Sequence, residues 1–113
     1  MTTTITWPNG TTESLEEGRE RATRMVGSGW RCIVSNLIDD LAAMDWNGEL
    51  HQVKEKFGGL RFYTGGLTEA QQLRITSAES DSYKTCEKCG EPGCPNRTGW
   101  ITTLCDTCRS GRA

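Results

Sequence analysis

Six cysteines fall within this 113-residue chain, and four of them form two matched pairs. Residues 86–108 read CEKCGEPGCPNRTGWITTLCDTC, which places two residues between Cys86 and Cys89, two between Cys105 and Cys108, and fifteen between the pairs. Paired C-x2-C knuckles at this spacing are the pattern of a four-thiolate zinc site. Each knuckle converges two sulfurs, and Gly90 suits the turn by which the first one exits. Four sulfurs at about 2.3 Å from the ion complete a tetrahedron with no open position, so Cys86, Cys89, Cys105 and Cys108 are expected to hold a structural Zn2+. Structural zinc in small domains supplies on the order of 10 to 16 kcal/mol of apparent binding free energy, enough to order a segment this short. A dithiol redox pair, two disulfides or an iron-sulfur cluster remain as other uses of these thiols. Cys94, inside the intervening loop, is a possible substitute ligand, and Cys32 reads as a buried free thiol. Trp100 and Ile101 are expected to cover the sulfurs, with substrate stacking the alternative for Trp100.

Little else in the chain suggests reaction chemistry, and no enzyme is expected. There is one histidine, His51, no nucleophile elbow, no phosphate-cradling loop and no H-x-E motif. Asp39 and Asp40 are adjacent on a helix, so they point in different directions and read as a solvated face, as does Asp45. The formal charge of −2, from 13 basic and 15 acidic residues, is a poor footprint for sequence-independent DNA binding. No window approaches the roughly 20 apolar residues of a membrane span, and the opening MTTTITWPNG lacks the features of a secretory signal, so a cytoplasmic protein is expected.

The elements that position these residues fit an α+β fold: a small helical N-terminal part, one β-hairpin, a third helix and a C-terminal four-cysteine zinc ribbon. The whole of 1–113 is taken as one domain, with 1–85 the helices and hairpin and 86–113 the ribbon segment. Residues 2–7 alternate weakly and suggest a short edge strand. Ser14 and Glu17 form a capping box ahead of a helix over 14–26, with Leu15, Ala22, Met25 and Val26 turned inward. The GSG at 27–29 breaks it, and Ser28 can cap the next. In WRCIVSNLIDDLAAM, Ile33, Val34, Leu37, Ile38, Leu41 and Met44 recur on one helical face.

Residues 49–64, ELHQVKEKFGGLRFYT, read as a hairpin turning at Gly58-Gly59, which pairs Phe57 with Leu60, Lys56 with Arg61, Glu55 with Phe62, Lys54 with Tyr63 and Val53 with Thr64. One face then carries Val53, Phe57, Leu60 and Phe62, interrupted by Glu55; the other carries Gln52, Lys54, Lys56, Arg61 and Tyr63. Lys54, Lys56, Arg61 and Tyr63 are the candidate partner-binding residues, and an ordinary solvated face is the plainer reading. Thr68 and Gln71 cap a third helix over 68–84, with Ala70, Leu73 and Ala78 as its thin buried stripe.

The stretches QVKEKFGGLRFYTGG, AESDSYKTCEKCGEPG and GWITTLCDTC together resemble a set of small uncharacterised bacterial and bacteriophage zinc-ribbon proteins. These share a KEKFGxLRFY hairpin, a helix ending in A-E-x-x-S and a CxxCG knuckle. The resemblance covers about residues 50–108 and departs at Cys108, where such proteins often carry histidine. It implies a phage-encoded or prophage-encoded accessory protein in the host cytoplasm and implies no activity. The expectation from the sequence is a non-catalytic zinc-binding protein that binds a host or phage protein and modulates it, with no small-molecule substrate. A nucleic-acid-binding module using the basic hairpin face and a thiol redox protein are the alternatives.

Overall fold

The computed structural model describes residues 3–96 and 99–110. It is a mixed helix and strand structure, with three separate two-stranded antiparallel pairs and four helices among the described residues. Strand β1 (Thr4–Thr6) pairs with β2 (Thr12–Ser14), so the expected lone edge strand is one arm of a small hairpin. Ile5 and Trp7 are buried on one side as the alternation suggests. Trp7 Nε1 donates to Glu13 Oε1 at 2.6 Å, and Arg21 holds the same carboxylate. Helix α1 (Leu15–Thr23) opens on the expected Ser14–Glu17 capping box, but it stops three residues short of Val26 and leaves Met25 exposed.

A short 3-10 turn (Ser28–Trp30) leads into helix α2 (Arg31–Ala43), whose Val34, Leu37, Ile38 and Leu41 are fully buried. Ser28 does not cap this helix; its hydroxyl donates to the Lys88 carbonyl at 2.8 Å. Cys32 faces solvent rather than the core, because it lies off the 34-37-38-41 stripe. Asp39 pairs with Arg19 on α1, and Asp40 pairs with Arg74 at 2.7 Å. The adjacent aspartates thus tie α2 to two different neighbours, each exposed pair contributing about 0 to 1 kcal/mol.

Strands β3 (Leu50–Lys56) and β4 (Gly59–Thr64) form the expected hairpin, but the turn is one residue earlier than the glycine pair suggests. Phe57 and Gly58 are its central residues, with φ of +54° and +80°, the two positive values of a primed turn. The observed register pairs Glu55 with Leu60, Lys54 with Arg61 and Val53 with Phe62. The pairing therefore moves by two residues, which keeps each side chain on its expected face. The exception is Phe57, which leaves the core face and becomes 64% exposed.

Two contacts explain the shift. Glu55, the apparent intruder on the apolar face, accepts the Gly58 N–H at 2.7 Å and so fixes the turn. Gly59 is required by a neighbour instead of by φ: a Cβ there would lie 2.2 Å from Cζ of Tyr83.

Helix α3 (Glu69–Ser82) has the expected Thr68–Gln71 capping box, yet its buried stripe is Gln71, Ile75, Ala78 and Ser82. Ala70 is exposed, as is Leu73, so the expected stripe is corrected. The buried polar members have partners: Gln71 Nε2 donates to the Met44 carbonyl at 2.8 Å, and Ser82 Oγ accepts the Leu60 N–H at 2.9 Å. Glu79 Oε2 accepts the Phe62 N–H at 3.1 Å. Helix α3 thereby lies along the outer edge of β4 and satisfies alternate donors that an edge strand would leave bare.

Core residues from β1, α1, α2, β3, β4 and α3 form one apolar cluster, to which Trp30 and Trp46 contribute buried rings. No helix among the described residues is long and apolar enough to cross a membrane.

Candidate metal centre

The ribbon begins where α3 ends. Cys86 N donates to the Glu91 carbonyl at 2.7 Å and Gly90 N to the Cys86 carbonyl at 2.9 Å, closing a tight knuckle around Cys86 and Cys89. Strand β5 (Cys94–Pro95) pairs with β6 (Thr103–Leu104), and β6 delivers Cys105 to the first residue of helix α4 (Asp106–Ser110), which carries Cys108. The second knuckle is closed by Arg109 N to the Cys105 carbonyl at 3.0 Å and by Cys108 N against Cys105 Sγ at 3.4 Å. Reciprocal bonds join the two halves. Glu87 N donates to the Thr103 carbonyl at 3.0 Å, and Thr103 N donates to Glu87 Oε2 at 3.2 Å.

The result is that the four sulfurs of Cys86, Cys89, Cys105 and Cys108 all lie within 4.8 Å of one another, with Cys89 and Cys105 at 3.6 Å. A regular tetrahedron of bonds of about 2.3 Å has sulfurs roughly 3.8 Å apart, so the donor set is close enough to hold one metal ion. Cys86 is buried, Cys105 and Cys108 are half-buried and Cys89 is exposed. Cys94 lies outside the cluster: its side chain is exposed, and its carbonyl accepts from Arg109 Nη2 at 2.6 Å.

Crowding in the cluster separates the acidities of Cys86, Cys89 and Cys108. Burial, the largest influence on Cys86, pushes its thiol up. Bonds involving the backbone at Cys105, Cys89 and Lys88 outweigh burial and bring it down to about 6. For Cys89, the backbone bond at Glu91 lowers the pKa, but burial and hydrogen bonds with the Cys105 and Cys86 sulfurs leave it raised. Cys108 is pushed up to about 12, chiefly by its hydrogen bond with Cys105 and then by those with Cys89 and Cys86. Cys86 holds charge readily while Cys89 and Cys108 resist it, which is the condition a divalent cation relieves.

The seat of the first knuckle is the GSG segment, which the sequence suggests as a helix break with Ser28 a cap for the next helix. Gly29 N donates to the Glu87 carbonyl at 2.9 Å, and the buried Trp30 indole donates to the Thr85 carbonyl at 2.8 Å. A Cβ on Gly29 would lie 2.0 Å from the Cys86 carbonyl oxygen, and one on Gly27 would lie 2.2 Å from that of Glu87. Pattern rules for single elements hold no signal for this docking, because it joins segments 55 to 60 residues apart.

The ribbon also meets the hairpin tip. Thr103 Oγ1 donates to the Gly58 carbonyl at 2.5 Å, in a buried contact two residues before Cys105. Trp100 does not cover the sulfurs; it is 82% exposed, and with half-buried Ile101 it stands opposite Phe57. Between them is a cleft of about 370 Å3 lined by Glu55, Lys56, Phe57, Gly99, Trp100 and Ile101.

Lys54, Lys56, Arg61 and Tyr63 share the hairpin face away from the core, with Lys54 opposite Arg61. Lys54 Nζ sits 5.8 Å from the Tyr63 ring centre, and Lys56 Nζ sits 5.7 Å from that of Phe57. Arg61 bonds to the Tyr83 hydroxyl at 3.1 Å, which is the largest influence raising its pKa. Comparison with protein-family models, curated proteins and solved structures finds no match.

Proposed function

We propose that this chain is a non-catalytic binding module of the phage accessory type, in which a structural Zn2+ on Cys86, Cys89, Cys105 and Cys108 holds the ribbon against the hairpin, and that it modulates a partner protein by contact. Four thiolates leave a zinc ion no position for substrate or activated water, which supports a structural role. Convergence of all four sulfurs favours a metal over a redox dithiol, which needs only one pair.

The observation that carries the binding reading is the pair of bulky side chains Phe57 and Trp100. Each is well exposed on a separate segment, and they face one another across a cleft beside the metal-clamped junction. Exposed apolar groups gathered in one patch mark interaction sites, and tryptophan is enriched at interface hot spots with tyrosine and arginine.

The test is affinity capture from nuclease-treated bacterial lysate with zinc-loaded wild type and Trp100→Ser. A protein retained by wild type and lost from the variant supports the reading. Equal retention by both, or none by either, overturns it. The second reading, a nucleic-acid module, rests on the Lys54–Arg61–Lys56 row beside Tyr63 and Phe57, since cations interleaved with aromatics suit a single strand. It predicts that nuclease removes whatever is retained.

A further inference from the structure

Phe57 occupies a costly place. It is a bulky residue at φ +54° in a position of a primed turn where asparagine, aspartate and glycine fit with least strain. Its ring recovers little by packing, because it is 64% exposed. Strain retained without compensating burial is characteristic of binding sites. Across the cleft, Trp100 is more exposed still, and Ile101 adds an aliphatic wall. The volume of about 370 Å3 stands near the lower end of small-ligand pockets, roughly 300 Å3, which suits one or two side chains better than a large cofactor.

Positive charge extends from the cleft along one strand face. Lys56 forms part of its lining, and the row continues to Lys54 and Arg61. Among the described residues none of these three cations is in an ion pair, whereas Arg19, Arg21, Arg24 and Arg74 all are. Glu55 also borders the cleft, with one carboxylate oxygen bonded to the Gly58 N–H. The opening therefore favours a neutral apolar group inside and negative charge outside, along the strand face.

We infer that the Phe57–Trp100 cleft takes one bulky apolar side chain of an acidic peptide segment on a partner protein, with the flanking carboxylates over Lys56, Lys54 and Arg61. This rests on the protein-binding reading above and names the partner's chemistry. Charge favours a peptide over a nucleic-acid strand. The formal charge is −2 with neutral thiols. Four thiolates with one divalent ion add another −2, giving about −4 for the loaded chain. A strand brings a phosphate with every nucleotide against that field. A peptide confines its charges to the cationic row.

The test uses zinc-loaded full chain and a random 16-residue peptide-display library, with oligo-dT of 20 nucleotides as the competing ligand. The expected result is enrichment of peptides with one aromatic or large aliphatic residue flanked by Asp and Glu. Synthetic copies should shift the Trp100 indole resonance, bind at least tenfold more weakly to Phe57→Ser and Trp100→Ser, and weaken with salt. In the Lys54→Glu/Lys56→Glu variant the selected flanks should change from acidic to basic. Zinc content and amide spectra like wild type establish that each variant is folded. Enrichment that depends on Phe57 and Trp100 but shows no acidic bias overturns this inference and leaves the broader reading standing. Enrichment indifferent to both residues overturns both, as does tighter binding of oligo-dT at the same resonances or no enrichment at all.

Discussion

Replacing Gly29 by alanine reverses the usual effect of that substitution. At an ordinary backbone conformation, glycine to alanine stabilises a protein by about 0.4 to 1 kcal/mol, because the unfolded chain loses freedom. Gly29 is in a 3-10 turn and is not among the glycines with positive φ, so conformation raises no objection. The obstacle is space. The new Cβ would lie 2.0 Å from the Cys86 carbonyl oxygen, 2.6 Å from Gly90 N and 2.7 Å from the Glu87 carbonyl carbon, all backbone atoms of the metal knuckle. Ordinary contact starts near 3.4 Å, so the knuckle must retreat by more than 1 Å.

That movement breaks the bond from Gly29 N to the Glu87 carbonyl and strains those from Ser28 Oγ to Lys88 and from Trp30 Nε1 to Thr85. Losing two such bonds costs about 1 kcal/mol each, and a buried indole N–H left without an acceptor adds about 1 to 3 kcal/mol. Gly29→Ala should therefore destabilise the zinc-loaded protein by about 3 to 5 kcal/mol in urea unfolding and weaken zinc retention against a competing chelator. Gly10 is the control: its φ is +88° but nothing lies within 4 Å of a Cβ there, so Gly10→Ala should cost only the conformational strain, about 1 kcal/mol. Gly29→Ala as stable as wild type, with unchanged zinc retention, would refute the docking of this turn on the Cys86–Cys89 knuckle.

Ser82→Ala removes the acceptor of the Leu60 N–H, and unfolding should show a loss of about 1 to 3 kcal/mol together with faster hydrogen exchange at that amide. Gly59→Ala should destabilise the wild type by pushing its Cβ into the Tyr83 ring, yet should be close to neutral in a Tyr83→Ala background; a double-mutant cycle reads the difference. Thr103→Val deletes the hydroxyl bond to the Gly58 carbonyl, so zinc affinity should hold within a few fold while the Phe57 and Gly58 amides exchange faster.

Zinc loading should strengthen as pH rises through neutrality. Cys86, lowered to about 6, is mostly ionised at pH 7, but Cys89 and Cys108 are raised and must give up protons to bind. Calorimetry in buffers of different ionisation enthalpy should find at least two protons released per ion at pH 7. Below pH 6 Cys86 also protonates, and affinity should fall more steeply.

The sequence makes the helices, the hairpin faces and the sulfur quartet legible because each is written in local spacing. Capping boxes at Ser14–Glu17 and Thr68–Gln71 satisfy donors three residues away, and a C-x2-C knuckle is closed within five residues. The turn of the hairpin is misread for a related reason. Two consecutive glycines look like a single turn signal, whereas Gly58 serves the turn and Gly59 serves Tyr83, which is 24 positions further along. The α3 stripe is misplaced: Ile75 belongs on it and Leu73 does not, and its other members Gln71 and Ser82 are buried with hydrogen bonds to Met44 and Leu60 that no hydropathy scale sees.

The least legible part is the one that gives the molecule its surface. Trp100 next to a cysteine knuckle looks like a cover for sulfur, but the second knuckle is anchored from the other side. Thr103 is fully buried between Glu87 and Gly58, and it connects the metal site to the hairpin tip through its hydroxyl and its backbone. With that position taken by Thr103, Ile101 lies against Gly58, and Trp100 stands out in solvent opposite Phe57. The same three contacts that fix Thr103 therefore set the width of the cleft. A metal ion held by Cys86 and Cys105 would brace the Glu87–Thr103 pair that lies between them, and would so act on the spacing of Phe57 and Trp100 without touching either side chain.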